Sequence, residues 1–166
     1  MAKMRVIASQ PTVRPELVEG PFFFEEGQRF DRLSANGVMN TTARILIIAG
    51  SDSGGGAGIQ ADIKTVTMLG GHAMTAITAI TAQNTLGVDD VFPLPFNIVD
   101  SQLRSVMRDI GADAIKIGML GTAELATSVD DFLRWGGIGL PVVLDPVMVA
   151  TSGDSLNEHG TAAVIR

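Results

Sequence analysis

A glycine-rich stretch at residues 49–65, which reads AGSDSGGGAGIQADIKT, has the residue types and spacing best suited to binding a small molecule. Its five glycines are Gly50, Gly54, Gly55, Gly56 and Gly58. Glycines leave backbone N–H groups unshielded and let a ligand approach the main chain closely. An apolar strand precedes the stretch and an amphipathic helix follows it, and open α/β folds usually bind ligands at such a junction. The stretch therefore predicts a small-molecule site.

Two polar side chains near this stretch could contact the same ligand. Asp62 falls among the apolar positions of the predicted helix, so its carboxylate needs either a ligand or a structural hydrogen bond to the glycine loop. It also lies in the first turns of that helix, where the helix dipole favours negative charge. Gln83 ends the next predicted strand. Its carboxamide could pair with the edge of an amino-substituted heterocycle, or it could be an ordinary loop residue.

The glycine pattern departs from both common nucleotide-binding motifs. No glycine is followed by Lys-Ser or Lys-Thr, which excludes a Walker A motif. Gly56, Gly58 and Ala61 match the GxGxxA form of the dinucleotide-binding motif. However, the next strand ends in Gln83-Asn84, where a ribose-binding acid would be required. The dinucleotide interpretation is therefore the weaker one.

Further along the chain, Lys116 lies within an apolar strand and Asp145 follows another. Asp145 could bind a metal ion or a phosphate, or it could cap a loop. His72 and His159 have no carboxylate or second histidine at the spacing of metal ligands. We predict structural or exposed roles for both histidines and no metal site.

The composition of the 166-residue chain is that of one globular domain, with 46% apolar and 18% charged residues. The formal net charge is −6, which argues against nucleic acid and anionic membranes as partners. Cysteine is absent, which excludes disulfides, thiolate metal sites and a cysteine nucleophile, and fits the reducing cytoplasm. Residues 65–88 carry no formal charge, but the Gly70-Gly71 break favours a helix end, a turn and a strand over a membrane span.

Strands and helices alternate from Arg44 onward. Predicted strands span residues 45–49, 73–82, 113–118 and 141–145, with a loop and a short edge strand between residue 83 and Pro95. Predicted helices span residues 57–69, 97–110 and 122–135, and another begins at 157–166. This βαβ series predicts an α/β fold: an open, mostly parallel sheet with right-handed crossovers and helices on both faces.

Particular residues mark the ends and faces of these elements. Gly70-Gly71 ends the first helix, Asn97 caps the second with Asp100 in an acidic first turn, and Thr122 caps the third. The continuous apolar runs at 45–49 (ILIIA) and 141–145 predict strands that are buried on both faces. The first helix places four apolar side chains on one face: Ile59, Ile63, Val66 and Leu69.

Residues 1–40 differ from the rest of the chain. They hold five basic and five acidic residues and show no sustained periodicity. They also lack the apolar core of a secretory signal. We predict either that Met39 is the natural start or that these residues form an irregular N-terminal extension, and a regulatory or targeting leader is the alternative.

Four segments together resemble one enzyme family. They are residues 49–65, ITAQNTLGV at 80–88, IKIGML at 115–120 and LDPVMVATSGDSL at 144–156. In this order and spacing they are similar to the hydroxymethylpyrimidine/phosphomethylpyrimidine kinases of thiamine biosynthesis, in the ribokinase-like superfamily. The resemblance identifies residues 41–166 as the N-terminal part of a ribokinase-like kinase domain that is incomplete at the C-terminus.

The resemblance implies an activity and a substrate pocket. ATP would transfer its γ-phosphate to the hydroxymethyl oxygen of 4-amino-5-hydroxymethyl-2-methylpyrimidine, and a second transfer would convert the monophosphate to the diphosphate. By the same resemblance, Gln83 pairs with the aminopyrimidine edge, while Gly50 and Asp62 line the pocket. The implied walls of the pocket are Ala57, Thr81, Met119 and Val147.

ATP and Mg²⁺ are the cofactors that the resemblance implies, and full-length members of the family form homodimers. Two family segments have no counterpart in this sequence. One is an Asn-x-x-Glu segment that helps to organise magnesium and phosphates, and the other is a Gly-Thr-Gly-Cys anion hole beside the catalytic base. Catalytic residues are therefore expected beyond Arg166. Pyridoxal kinases, which share the motifs loosely, and a non-catalytic pyrimidine-binding fragment are the alternatives.

Overall fold

The structure is a computed structural model that describes residues 42–135, 139–145 and 147. The extension predicted at residues 1–40, the start at Met39, His159 and the helix predicted at 157–166 lie outside these residues. Those predictions stay predictions.

Strands and helices alternate along the described residues. The strands are β1 (Arg44–Asp52), β2 (His72–Gln83), β3 (Val88–Pro93), β4 (Ala114–Ile117) and β5 (Val142–Leu144). The helices are α1 (Gly58–Met68), α2 (Phe96–Asp109) and α3 (Ala123–Trp135). Each element predicted within the described ranges is present, with its ends shifted by a few residues.

The five strands form one sheet in the order β3-β2-β1-β4-β5. β1 is parallel to β2 and β4, β4 is parallel to β5, and β3 is an antiparallel edge strand. The prediction of a mostly parallel α/β sheet is confirmed. The chain continues from β1 to β2 on one side and later returns to β4 on the other. The carboxyl ends of β1 and β4 therefore flank the crevice in which such sheets bind ligands.

Helices cover both faces of the sheet, which explains the continuous apolar run of β1. Ile48 belongs to a cluster with Val99 of α2 and Leu125 of α3. Ile47 belongs to a separate cluster with Ile59 of α1, on the opposite face. Neither Ile47 nor Ile48 has exposed area. The predicted burial of this strand on both faces is confirmed.

The apolar face predicted for α1 is only partly buried. Ile59 is buried and Val66 packs against the same cluster, whereas Ile63 and Leu69 are 36% and 74% exposed. Leu69 is the C-cap residue of the helix. Gly70 follows it with a φ of 80°, the left-handed conformation that ends many helices.

The prediction that Asn97 caps the second helix is wrong. α2 begins at Phe96, and no side chain caps it. Pro95 is the N-cap residue, and its carbonyl oxygen accepts the N–H groups of Ile98 at 2.9 Å and Val99 at 3.3 Å. Because the proline ring already holds φ near a helical value, the chain enters the helix directly after it.

Asp100 consequently lies beyond the first turn of α2, so the predicted acidic first turn is also wrong. Its carboxylate pairs with Arg104 at 2.7 Å, one helical turn later. The cap predicted for the third helix is confirmed, because the Thr122 hydroxyl accepts the N–H of Leu125 at 3.2 Å.

β5 is not the buried strand that its apolar sequence predicted. Val142, Val143 and Leu144 are 42%, 46% and 46% exposed. Within the described residues β5 pairs only with β4 and forms an edge of the sheet. The apolar run therefore has no neighbouring strand on its other side in this part of the chain.

The uncharged segment at residues 65–88 contains the end of α1, a turn and β2, as predicted. Across the part of the chain that the structure describes, no helix combines the length and the apolar character that a bilayer crossing requires.

An ion pair fixes β4 against β1. The guanidinium of Arg44, at the start of β1, donates to the two carboxylate oxygens of Asp113 at 2.7 and 3.1 Å. The backbone N–H of Asp113 donates to the Arg44 carbonyl oxygen at 2.8 Å. The next residues, Ile45 and Ala114, are register partners. This pair therefore sets the register that carries Lys116 toward the crevice.

Replacing Asp113 by Asn removes this ion pair and should lower the free energy of unfolding at neutral pH. The loss should be only about 1 kcal/mol, because water screens this partly exposed pair. Hydrogen bonds from Arg44 hold the pKa of Asp113 below its usual value. The stabilisation is thus present at neutral pH and is lost as the pH falls through the lowered folded-state pKa, below about pH 4. Urea unfolding at a series of pH values should show that the difference in the free energy of unfolding between the wild type and Asp113→Asn decreases from neutral to acid pH. A constant difference would contradict the pairing.

Candidate functional site

A cavity of about 570 Å³ opens at the carboxyl ends of β1, β2 and β4. All seven residues for which ligand contact was predicted line it: Gly50, Ala57, Asp62, Thr81, Gln83, Met119 and Val147. A single binding site requires Asp62 and Gln83 to lie around the same cavity, and both residues do border it. The volume lies within the range of small-molecule sites.

The glycine stretch is folded around a carboxylate that the sequence analysis missed. Asp52 ends β1 and is 5% exposed. Its Oδ1 accepts the N–H of Gly54 at 2.7 Å, and its Oδ2 accepts the N–H groups of Gly56 and Ala57 at 2.9 and 2.8 Å. Its carbonyl oxygen accepts the N–H of Gly55 at 3.0 Å. An aspartate just before glycines is a turn signal, and it could have pointed to this role.

These bonds overturn the expectation that the loop amides are free for a ligand. The N–H groups of residues 54–57 are already used within the loop. The main chain here is a wall of the cavity and not a ready cradle for an anion. The dinucleotide interpretation also loses support, since the N–H of Gly56, the first glycine of the GxGxxA match, is unavailable to a pyrophosphate.

Gln60 fastens α1 to the end of β1. Its Oε1 accepts the N–H of Asp52 at 2.8 Å, and its Nε2 donates to the Ser51 hydroxyl at 2.8 Å. One turn further along the helix, the Lys64 ammonium donates to the carbonyl oxygen of Gly55 at 2.7 Å. The helix after the loop is thus held both to the loop and to the strand before it.

Gly58 permits a close approach between the first turn of α1 and β1. Its φ is 54°, which a residue with a side chain rarely adopts. A Cβ at this position would also overlap the carbonyl oxygen of Gly50. A glycine is therefore required here for two separate reasons.

Asp62 forms an ion pair that the sequence analysis did not predict. Its Oδ2 accepts a hydrogen bond from the Lys116 Nζ at 2.7 Å, and the two side chains are 23% and 19% exposed. The partner is therefore a cation on β4 and not the glycine loop. No acidic residue lies in the first turn of α1. Asp62 is the fifth residue of α1, so it lies just beyond the first turn, where the effect of the helix dipole is strongest.

The second carboxylate oxygen of Asp62 is not fully buried and has no hydrogen bond given for it among the described residues. The hydrogen bond to Lys116 uses Oδ2, and no described side-chain polar atom is both buried and without a partner. Since Asp62 lines the cavity, Oδ1 offers an acceptor to a ligand with an N–H or O–H group.

Gln83 is held through its backbone, which leaves its carboxamide available. The Ser53 hydroxyl donates to the Gln83 carbonyl oxygen at 2.7 Å and accepts the Gln83 N–H at 2.7 Å. The Thr81 hydroxyl lies 3.3 Å from Gln83 Oε1, but its shorter bond is to the Ser51 carbonyl oxygen at 2.8 Å. The carboxamide of Gln83 thus enters the cavity without a strong partner among the described residues.

Met119 provides an apolar wall of the cavity. It is 7% exposed and packs with Ala79 and Val147. Its carbonyl oxygen accepts the Thr78 hydroxyl at 2.7 Å, which holds the chain after β4 against β2. A Cβ at Gly50 would overlap the methyl group of Met119. Gly50 therefore leaves the space that the methionine occupies.

Three carboxylates and one ammonium line the cavity: Asp52, Asp62, Asp145 and Lys116. The Oδ2 of Asp145 lies 3.9 Å from the Lys116 Nζ, so the structure gives Asp145 an ion-pair partner. Within the described ranges, no three His or acidic side chains are grouped to hold a metal ion. His72, at the start of β2, is exposed.

A second cavity, of about 510 Å³, lies at the amino end of β1. Its lining is Thr42, Ala43, Ile45, Val66, Leu69, Gly70 and Gly71. Thr42 is the only one of these residues with a polar side chain. The described residues that line this cavity therefore lack the several polar side chains that orient a ligand. The polar and charged side chains are grouped in the cavity at the other end of the sheet.

Residues 52–166 match a family model described as phosphomethylpyrimidine kinase. The hydroxymethylpyrimidine/phosphomethylpyrimidine kinase of Haemophilus influenzae is 52% identical over 127 residues, which are 76% of this chain and 47% of that protein. The chain thus spans about half the length of this curated relative.

Two solved structures are similar to the chain. The phosphomethylpyrimidine kinase of Clostridium difficile gives a TM-score of 0.68 at 42% identity, over 75% of this chain and 53% of that chain. The pyridoxal kinase of Staphylococcus aureus in complex with AMP-PCP gives a TM-score of 0.64 at 36% identity, over 76% of this chain and 45% of that chain.

Gly58→Ala should destabilise the chain more than Gly70→Ala. Both glycines have a positive φ, so alanine incurs the same left-handed backbone cost of about 1–2 kcal/mol at either position. Nothing lies within 4 Å of a Cβ at Gly70, whereas a Cβ at Gly58 overlaps the Gly50 carbonyl oxygen. Urea unfolding should show a further loss of about 2 kcal/mol for Gly58→Ala. Equal losses would show that the start of α1 is not closely packed on β1.

Proposed function

The chain belongs to the phosphomethylpyrimidine kinase family, and on that premise we propose that it forms the pyrimidine-binding part of a kinase with this activity. The γ-phosphate of ATP is transferred to the hydroxymethyl oxygen of 4-amino-5-hydroxymethyl-2-methylpyrimidine, hereafter hydroxymethylpyrimidine. A second transfer to the monophosphate follows. The fold is ribokinase-like. Residues 41–166 are, on this proposal, the N-terminal part of the kinase domain.

The observation that carries the proposal is that Gln83 and Asp62 border one cavity with apolar walls. The edge of an aminopyrimidine presents an N–H donor beside a ring-nitrogen acceptor. A carboxamide presents the complementary acceptor and donor side by side, so Gln83 can pair with this edge. The Oδ1 of Asp62 suits a further donor of the same ligand, such as its hydroxymethyl O–H.

The remaining residues of the cavity suit the faces of a flat ring. Met119, Val147 and Ala57 supply apolar surface, and the Thr81 hydroxyl is already bonded to the main chain. Gly50 lets Met119 lie against the strand. Small-molecule sites combine such apolar walls with a few fixed polar groups. The cavity is also larger than one six-membered ring, which leaves room for the phosphate of the monophosphate.

ATP is the phosphoryl donor on this proposal, in keeping with the AMP-PCP complex of the Staphylococcus aureus pyridoxal kinase. Mg²⁺ is proposed from the family resemblance alone, because the described residues do not fit it by themselves. The oxygens of Asp52 accept three backbone N–H groups, and Asp62 and Asp145 lie beside the ammonium of Lys116. No catalytic step is therefore assigned to these carboxylates.

Phosphorylation of a vitamin B6 compound is the second candidate, and the likeness to pyridoxal kinases favours it. A pyridine ring would fit between the same walls. However, pyridoxal lacks the exocyclic amine beside a ring nitrogen that the carboxamide of Gln83 would recognise. Sites that are built to pair with a polar group discriminate strongly against ligands without it.

We further propose that the protein is cytoplasmic, that it has no nucleic-acid partner, and that the full-length form is a homodimer as in the family. The absence of cysteine and the net charge of −6 are consistent with the first two points.

Gln83→Ala should weaken the binding of hydroxymethylpyrimidine by at least about tenfold, because it removes both hydrogen bonds to the ring edge. Titration calorimetry of the 166-residue chain measures this. Asn97→Ala is the matched control, since it deletes an exposed carboxamide at the start of α2, and it should leave the affinity unchanged. Unchanged binding by Gln83→Ala would contradict the assigned pocket. Tighter binding of pyridoxal than of hydroxymethylpyrimidine would favour the second candidate.

The 166-residue chain should release ADP at a small fraction of the rate of the Haemophilus influenzae relative. Most of the catalysis of phosphoryl transfer comes from electrostatic stabilisation, and the sequence has no counterpart of the Gly-Thr-Gly-Cys anion hole. A coupled ADP-release assay on both proteins tests this, and equal rates would refute it. If the chain binds hydroxymethylpyrimidine but releases no ADP, the result supports the alternative of a non-catalytic pyrimidine-binding fragment.

A further inference from the structure

Lys116 occupies a position at which a sheet normally places an apolar residue. Its neighbours Ile115 and Ile117 are buried in the cluster beneath α2 and α3, so Lys116 faces the other side of β4, toward α1. Its register partner on β1, Ile47, has no exposed area. An ion pair that is largely removed from water, as this partly buried pair is, is often no more stabilising than apolar residues of similar volume. Stability alone therefore does not account for a cation here.

The absence of a side chain at Gly118 makes room for the ammonium. A Cβ at Gly118 would lie 3.0 Å from the Lys116 Nζ and 3.0 Å from the Ala49 Cβ, which is closer than ordinary contacts allow. Lys116 and Gly118 both line the cavity. The side chain of Lys116 thus runs toward the carboxyl end of β4, where the predicted ligand-binding residues lie.

At this place the ammonium engages one of the two carboxylate oxygens of Asp62. The Nζ lies 2.7 Å from Asp62 Oδ2 and 3.9 Å from Asp145 Oδ2. Among the residues that line the cavity in the described part of the chain, Lys116 is the only cation. This hydrogen bond restricts the rotation of the Asp62 carboxylate, and with it the range of directions in which Oδ1 can point.

We propose that Lys116 is the positioning residue that prepares Asp62 for recognition of the hydroxymethylpyrimidine, an inference that rests on the proposed function. By holding Oδ2, Lys116 orients Oδ1 toward a donor of the ligand. Its charge also lets the carboxylates of Asp62 and Asp145 share one cavity. A ligand then meets an acceptor that is already ordered, which reduces the entropy lost on binding.

The other charged groups near Asp62 cannot take over this role. The carboxylate of Asp52 is occupied by backbone N–H groups of the loop. Lys64, on the same helix as Asp62, donates to the Gly55 carbonyl oxygen at 2.7 Å. Removing Lys116 therefore leaves Asp62 near Asp145 without a compensating cation among the described residues.

A double-mutant cycle in titration calorimetry with hydroxymethylpyrimidine tests whether Lys116 acts through Asp62. Lys116→Met and Asp62→Asn should each weaken binding by at least about tenfold, and the double variant should bind within about twofold of Asp62→Asn alone. Lys116→Arg, which keeps the charge, should recover binding to within about threefold of the wild type. Single effects that multiply in the double variant, or wild-type affinity in Lys116→Met, would overturn the proposal.

A control variant, a substitute variant and a structural comparison complete the test of Lys116. Arg108→Met removes an exposed cation from the end of α2 and should leave the affinity unchanged. If Lys116→Met does not fold, Lys116→Gln takes its place in the cycle. If the wild type fails to bind hydroxymethylpyrimidine, the proposed function fails, and crystal structures of the free wild type and Lys116→Met decide the role of Lys116. The carboxylate of Asp62 should change position in the variant, and an unmoved carboxylate would refute the role.

Discussion

The carboxylate of Asp52 is the constraint on which the candidate site depends. A run of glycines has a large conformational entropy to lose, and no side chains of its own to hold it in place. Three charge-assisted hydrogen bonds, donated by backbone N–H groups of the loop to one buried carboxylate, supply the missing order. They fix the entry into α1, and Gln60 and Gly58 then hold the helix against β1. The position of Asp62 follows from this chain of contacts, one turn later.

Local sequence is sufficient to predict much of the fold and to select residues that border one cavity. The ILIIA run at residues 45–49 could be continuous only in a strand with helices on both faces, and β1 is such a strand. The Gly70-Gly71 stop and the Thr122 cap are signals that act within one turn of a helix. The predicted ligand-binding residues border one cavity because the carboxyl ends of neighbouring parallel strands meet at the same edge of a sheet.

Sequence reasoning failed where a distant or competing partner decides the outcome. The glycine pattern predicts free loop amides because it contains no sign of the hydrogen bonds that Asp52 accepts from them. The helical pattern predicts that Asp62 needs a partner, but Lys116 lies 54 residues away and only the sheet register brings the two together. Asn97 is a good cap in isolation, yet Pro95 starts the helix first. The apolar run of β5 suggested burial, which depends on neighbours that no local pattern reveals.

Asp62 and Lys116 are 54 residues apart in the sequence, so the glycine motif cannot form this ion pair on its own. A short peptide with the sequence of residues 49–65 would carry every glycine of the motif and still lack this ion pair, because β4 must pair with β1 to bring Lys116 beside Asp62. Contacts of high contact order are slow to form, since loop-closure entropy is lost before they can stabilise the chain. The Asp62–Lys116 pair therefore depends on the completed topology of the sheet, and the glycine signature alone does not produce it.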